Sequence, residues 1–223
     1  MVHVFTNFSR PPETLIRKFN EIGVATIYEA SGRLGSIDPG IKPLAAGSRV
    51  LGPAFTVSCH PADNLMLHKA LQLAQPGDIL VADTGGYCNA GYWGGLMATS
   101  AMAFGIGGLV IDGCIRDSAE IINMGFPVFC RGTCIRGTTK SILGTINHPL
   151  VFGEVLLSPG DLVIGDDDGL VIVQQAQIEQ VLEASVRRVE AEKTKADKLR
   201  QKITSVELNQ LDQVFQSLGM IQE

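Results

Sequence analysis

The chain has 223 residues, 45% hydrophobic and 18% charged, which provides for one sizeable core and excludes a disordered chain. Its formal net charge is −5, and its 18 Lys and Arg are scattered without a basic patch, which argues against binding nucleic acid by phosphate neutralisation. No unbroken apolar run reaches the roughly 18 residues of a transmembrane helix.

Five cysteines, at 59, 88, 114, 130 and 134, form no CxxC pair. An odd count without a secretory leader leads to the expectation of reduced thiols and a cytoplasmic protein. With no repeat or low-complexity linker, residues 1–223 read as a single domain with an N-terminal helical arm (1–35) and a C-terminal helical extension (176–223).

Along the chain, Leu15, Ile16 and Phe19 lie at helical spacing after Pro12, and a second short helix is expected over Thr26–Ala30. Residues 47–59 read as strands, Asp63-Asn64 as the cap of a helix running towards Gln75, and Ile79–Asp83 as a short apolar strand. From Trp93, the residues Trp93, Leu96, Met97, Ala101 and Phe104 fall on one helical face, and Gly105–Gly108 closes that element. Strand Leu109–Ile111, helix Ser118–Asn123 and strand Pro127–Phe129 follow. This β-α-β-α-β alternation predicts a parallel sheet with its functional loops at the carboxyl ends of the strands. Beyond Lys140 come short strands over Gly153–Leu157, Asp161–Ile164 and Leu170–Val173, expected to be antiparallel or mixed. Residues 176–201 form a charged helix whose seam is Ile178, Leu182, Ser185, Val189, Glu192, Ala196 and Leu199, the spacing of a helix lying along a partner surface. Ile203–Leu218 adds an amphipathic segment.

The chemistry concentrates in Tyr92-Trp93-Gly94-Gly95-Leu96-Met97 and in Gly108-Leu109-Val110-Ile111-Asp112-Gly113-Cys114-Ile115-Arg116-Asp117. A glycine-opened helix start offers unpaired N–H groups and a partial positive charge, and Arg116-Asp117 ends the very next strand, so the two loops can share an anion pocket. Asp117 would hold a hard divalent ion, and Arg116 would offer its fork of donors to a carboxylate or oxyanion. Each motif also has a plain structural reading. The glycines open a helix between packed elements, Arg116-Asp117 is a surface pair or Asp117 an N-cap, and Glu192 is a polar break on a charged helix. Asp166-Asp167-Asp168-Gly169 lacks the later Glu of a calcium loop and reads as a hairpin turn. His60, His68 and His148 are not spaced as a zinc set, and Gly105–Gly108 precedes a strand where a dinucleotide loop would open a helix.

Together with Pro76–Asp83, Gly125-Phe126-Pro127-Val128-Phe129 and Pro159-Gly160-Asp161-Leu162-Val163, these motifs resemble the RraA-like family over roughly residues 15–200. Within it the chain is most similar to the class II pyruvate aldolases that cleave 4-hydroxy-4-methyl-2-oxoglutarate and 4-carboxy-4-hydroxy-2-oxoadipate. The resemblance implies an α/β/β/α sandwich of the swivelling phosphohistidine-domain type, a homotrimer or homohexamer with sites between subunits, and Mg²⁺ or Mn²⁺ as cofactor. It implies that backbone amides of Gly94, Gly95, Leu96 and Met97 bind substrate, that Arg116 holds the pyruvyl unit and that Asp117 ligates the metal. A carboxylate from a neighbour's C-terminal helix would match Glu192, or Glu190 under a shifted alignment. The implied reaction cleaves a 4-hydroxy-2-oxo acid to pyruvate and a second oxo acid, with oxaloacetate decarboxylation alongside. RraA itself, of the same fold, instead acts by protein contact on a ribonuclease. The aldolases commonly carry an acid where this chain has Gly95, and the tail from Ile203 lacks their short Gly-Glu-Leu ending.

Overall fold

The structure, a computed structural model, describes residues 4–221. The chain enters through α1 (Glu13–Ile16), one 3-10 turn and α2 (Val24–Ala30). The arm is fixed on the body by charge and by ring contact. Arg10 donates two bonds of 2.7 Å to the buried Asp78 carboxylate, and the Arg10 guanidinium lies 3.9 Å over the Phe8 ring, itself edge-on to Phe55.

Next come β1 (Lys42–Pro43), β2 (Val50–Ser58), α3 (Leu65–Leu73), β3 (Ile79–Asp83), α4 (Gly95–Ala103), β4 (Gly108–Asp112), β5 (Cys114–Ile115), α5 (Ser118–Met124), β6 (Val128–Cys130) and β7 (Gly132–Thr133). The second half holds β8 (Thr145–Ile146), β9 (Leu150–Phe152), β10 (Val155–Leu157), β11 (Leu162–Asp166), β12 (Gly169–Val173), α6 (Ile178–Arg200), α7 (Ser205–Asn209) and α8 (Asp212–Ser217).

The principal sheet runs β1-β6-β4-β3-β2-β11-β12, with β8 also paired to β2. Strands β2, β3, β4 and β6 are parallel, as the alternation with helices predicts, and β11 joins β2 and β12 in antiparallel pairs. Its two ends approach each other, where Lys42 Nζ donates to the Asp168 carbonyl at 2.8 Å, so this mixed α/β fold is a nearly closed barrel.

Both faces of the parallel strands are buried, which is why they read as continuous apolar runs. Side chains alternate along each strand. Val50, Ala54, Ile79, Val81, Val110, Phe129, Val163 and Ile172 point inward and are capped by Phe152 and Leu157 of the β9–β10 hairpin. Leu80, Ala82, Leu109 and Ile111 point outward against α3, α4 and α5. A third cluster packs Phe19, Ile27, Ile178 and Leu182 over Leu162, Ile164, Val171 and Val173.

Three expectations need correction. The helix expected from Trp93 begins at Gly95. Trp93 is fully buried before it, while Leu96 (86% exposed) and Phe104 (59% exposed) face out, and the buried side is Met97, Ala98 and Ala101. The two-residue delay rotates the face. Asn64 occupies the N-cap position of α3 without a capping bond; Asp63 Oδ1 accepts the Leu65 N–H instead, at 2.9 Å. The segment from Ile203 divides into α7 and α8 at Gln210, which has a left-handed φ of 56°.

Candidate active site

Two strand ends and one helix start converge here. The Arg116 N–H donates to the Trp93 carbonyl at 2.8 Å and the Tyr92 N–H to the Cys114 carbonyl at 2.9 Å, a short ladder that locks the β5 end to the approach of α4. Asp117 takes a left-handed φ of 56° at the N-cap position of α5 but makes no side-chain capping bond. Its carboxylate turns to the other helix, where Oδ2 accepts the Gly95 N–H at 3.1 Å. The cap reading of Asp117 is thereby replaced by a bond to the N-terminus of α4, where the helix dipole favours negative charge.

Arg116 Nε lies 3.6 Å from Asp117 Oδ2, with the two side chains 49% and 42% exposed. A pair so wet stabilises the fold little and leaves most of the guanidinium fork for a ligand. Of the first amides of α4, that of Gly95 serves Asp117 and that of Met97 bonds the Gly94 carbonyl, which leaves the Leu96 N–H without a backbone acceptor.

Both glycines sit against charged side chains. A Cβ at residue 94 would stand 2.6 Å from Asp117 Oδ2 and 3.1 Å from Arg116 Nε. A Cβ at residue 95 would collide with the Glu120 carboxylate, whose Oε2 occupies that volume and whose Oε1 would be 2.7 Å away. The Glu120 carboxylate, one turn beyond Asp117, thus stands beside the start of α4.

These groups line one pocket of about 370 Å³ with Gly94, Leu96, Met97, Arg116, Asp117 and Glu120 on one part of its wall. Asn64, His68, Thr138 and Lys140 complete it. Asn64 is buried, and its Nδ2 donates to the Tyr92 carbonyl at 2.8 Å while its Oδ1 has no partner. Burial and the neighbouring Lys140 charge push the His68 pKa below its ordinary value, which favours the neutral ring.

The loop carrying Thr138 and Lys140 is tied to α3 by Asp63. Its Oδ2 accepts Thr139 Oγ1 and the Ser141 N–H at 2.7 Å and the Ile142 N–H at 3.2 Å. Burial raises the Asp63 pKa, but bonds from Ser141, Leu65, Thr139 and Ile142 outweigh it and hold the carboxyl down at about 2.

The structure thus brings Gly94, Gly95, Leu96, Met97, Arg116 and Asp117 together. Glu192 lies elsewhere in the chain, where its Oε2 accepts Thr26 Oγ1 at 3.1 Å and its Oε1 lies 2.8 Å from Arg188 Nε; Glu190, on the same helix, does not line the pocket either. Sequence reasoning missed Glu120, Asn64, His68 and Lys140. For Glu120 there was a signal, an acid three residues after Asp117 at a helix start, which places both on adjacent turns.

Among the described residues no three of His, Cys, Asp and Glu form a metal cage. Asp117 and Glu120 alone, beside an open pocket, are nevertheless a fitting donor set for Mg²⁺ or Mn²⁺, since Mg²⁺ needs few protein carboxylates and completes its shell with water and substrate oxygens.

Comparison with known proteins shows the family. The chain is 39% identical over 173 residues to a Halalkalibacterium halodurans protein named "putative 4-hydroxy-4-methyl-2-oxoglutarate aldolase", covering 78% of this chain and 82% of that one. Among solved structures, it superposes on a protein of Pseudomonas syringae pv. tomato with a TM-score of 0.81 at 27% identity, covering 92% and 97% of the two chains. It also superposes on Streptomyces coelicolor RraAS2, described as an unusual member of the RNase ES inhibitor RraA family, with a TM-score of 0.78 at 30% identity, covering 85% and 99%. The RraA-like family model, described as Aldolase/RraA, matches residues 24–172, and the chain belongs to that family.

Proposed function

We propose that the protein is a divalent-metal-dependent lyase that cleaves a 4-hydroxy-2-oxo acid to pyruvate and a second oxo acid, and that it also decarboxylates oxaloacetate. The observation that carries this reading is the Glu120 carboxylate lying over Gly95, beside Asp117 and Arg116 at the start of α4. Aldolase naming of relatives supports the lyase class.

Asp117 and Glu120 would hold Mg²⁺ or Mn²⁺, which when bound supplies Lewis acidity at the 2-oxo group. The Leu96 N–H and the Arg116 fork take the adjacent carboxylate, and Arg116 stabilises negative charge as it moves onto the C2 oxygen. Loss of the C4 hydroxyl proton, with Glu120 holding the accepting water, lets the C3–C4 bond break. Its electron pair forms the pyruvate enolate, and a proton at C3 then releases pyruvate. Decarboxylation of oxaloacetate passes through the same enolate without removing a hydroxyl proton. Lys140 on the pocket wall suits a second carboxylate on the substrate.

We place the protein in the cytoplasm as a trimer, or a pair of trimers, in which Glu192 or Glu190 of α6 reaches the neighbouring site. We read the barrel halves, with α3–α5 outside one and α2 with α6 outside the other, as the α/β/β/α swivelling sandwich.

Lactate dehydrogenase reporting pyruvate from oxaloacetate and from the two branched hydroxy-oxo acids tests the reading. Turnover that EDTA abolishes and that Asp117→Ala lacks is expected; turnover unchanged by either removes the metal assignment. The structural likeness to RraAS2 favours one second reading, a non-catalytic regulator that binds a ribonuclease. It predicts no pyruvate from any of the three acids and a stable complex with such a partner.

A further inference from the structure

Four of the five cysteines meet behind the candidate site. Strands β5 and β7 are parallel with Cys114 opposite Gly132. Alternation puts residues 130, 132 and 134 on one face. Gly132 has no side chain, and the Cys114 Sγ lies 3.7 Å from where its Cβ would stand, so the Cys114 thiol leans across Gly132 towards Cys130 and Cys134. On its other edge Cys114 bridges Gly91, which brings in the loop from Gly85 to Gly91. That loop carries Cys88, whose thiol neighbours that of Cys114 closely enough to raise its pKa and itself contacts the Gly86 carbonyl at 3.5 Å. Every cysteine is free; Cys88 is exposed, while Cys114 and Cys130 are buried.

We propose that Cys88 and Cys114 are a thiol–disulfide pair, closed by a small-molecule disulfide of the oxidised-glutathione type, and that closure pins the loop of residues 85–91 against β5. The exposed Cys88 thiolate attacks one sulfur of the small disulfide and expels one thiolate. Cys114, deprotonated as it reacts, then attacks the Cys88 sulfur and expels the second. Both cysteines are oxidised, one small disulfide is reduced to two thiols, and two protons leave the protein. The order is fixed by environment, because burial, with the neighbouring Cys88 next, pushes the Cys114 thiol up to about 12 and makes it a poor initiator.

The bond would reach the pocket. An S–S bond of about 2.05 Å is much shorter than any contact between two unbonded thiols, so Cys88 must move inward. Gly85 and Gly86, with φ of 66° and 69°, give the loop its hinge, and its far end, Gly91 and Tyr92, lines the site. Cys114 itself stands two residues before Arg116. The effect on turnover rests on the lyase reading; the formation of the bond does not.

The test uses the full chain, incubated with excess oxidised glutathione, alkylated, and digested without reduction. Trypsin alone leaves Cys88 and Cys114 in one peptide, 70–116, so a second cut before Asp112 separates them. A Cys88–Cys114 linked pair that dithiothreitol dissolves and that Cys88→Ser lacks is expected. A Cys88 that ends as a glutathione adduct, a link from Cys88 to Cys130 or Cys134, or an unreacted Cys88 overturns the proposal. With oxaloacetate as substrate, the linked protein should lose turnover by about tenfold or more, within the range that small misplacements cost, and regain it on reduction, while oxidised Cys88→Ser keeps its rate. A linked protein of undiminished rate overturns the coupling to the site. Absence of turnover in the reduced protein would count against the lyase and leave the disulfide standing.

Discussion

A side chain at residue 95 and the carboxylate of Glu120 compete for one volume. Glu120→Ala should therefore lower aldol cleavage by about 10²-fold, the usual contribution of a group serving proton transfer, with a smaller loss in oxaloacetate decarboxylation, which needs no hydroxyl deprotonation. Gly95→Asp alone should also lose activity, because two carboxylates cannot share that space, whereas Gly95→Asp combined with Glu120→Ala should recover part of it. Pyruvate release from both substrates reads all three, and a double variant no better than either single one would show that the two positions are not interchangeable. A second residue-scale case is Asp63, whose five accepted bonds fall four on Oδ2 and one on Oδ1. In Asp63→Asn one oxygen becomes a donor facing donors, which costs about 1–3 kcal/mol, or about 2–4 °C of thermal midpoint for each kcal/mol in a chain this long. Because the fold holds this carboxyl down at about 2, its contribution is complete above the unfolded value of about 3.9 and is lost as pH falls through about 2. The gap between wild type and variant, measured by thermal melts, should be full at pH 7 and narrow only below about pH 4.

Elements were legible where local pattern and burial agree. The runs at 79–83 and 108–112 read as strands because both faces are buried, and the hairpin at 166–169 was readable from its turn residues. The pairing of β2 with β8 and β11 was not legible, since it joins residues about a hundred apart and leaves no local periodicity. Glu120 was legible only as an acid three residues after Asp117; its meaning depends on Gly95 at the start of α4 lying beside it in space. The seam of α6 was legible, but only Ile178, Leu182 and Ser185 of it are buried, with Val181 beside them; Val189 is 37% and Leu199 43% exposed. Leu182→Ala should therefore cost about 2–5 kcal/mol by opening a cavity against α2, while Leu199→Ala should leave the stability of the isolated chain within about 0.5 kcal/mol. Denaturant melts of dilute protein distinguish the two. Helices α7 and α8 bury no residue, so their removal belongs with Leu199.

At the scale of the whole molecule, the single chain presents an incomplete surface. Leu96 is 86% and Ile135 95% exposed, and Ile142 and Leu143 are exposed as well. Large apolar side chains left in water near a polar pocket suit burial against another protein, and in the trimer proposed above a second copy would cover them and bring the far half of α6, with Glu192, towards this face. Cyclic assembly makes every interface alike, so each site would take Asp117 from one subunit and Glu192 from the next. The prediction is a complementation. Asp117→Ala and Glu192→Ala, each nearly inactive alone, are mixed, dissociated and reassembled. Random assortment puts an intact Asp117 beside a neighbour's intact Glu192 at about one interface in four, so the mixture should reach about a quarter of wild-type pyruvate release. If both carboxylates acted within one chain, no mixing ratio could produce a functional site, and the activity of the mixture would stay at that of its parents.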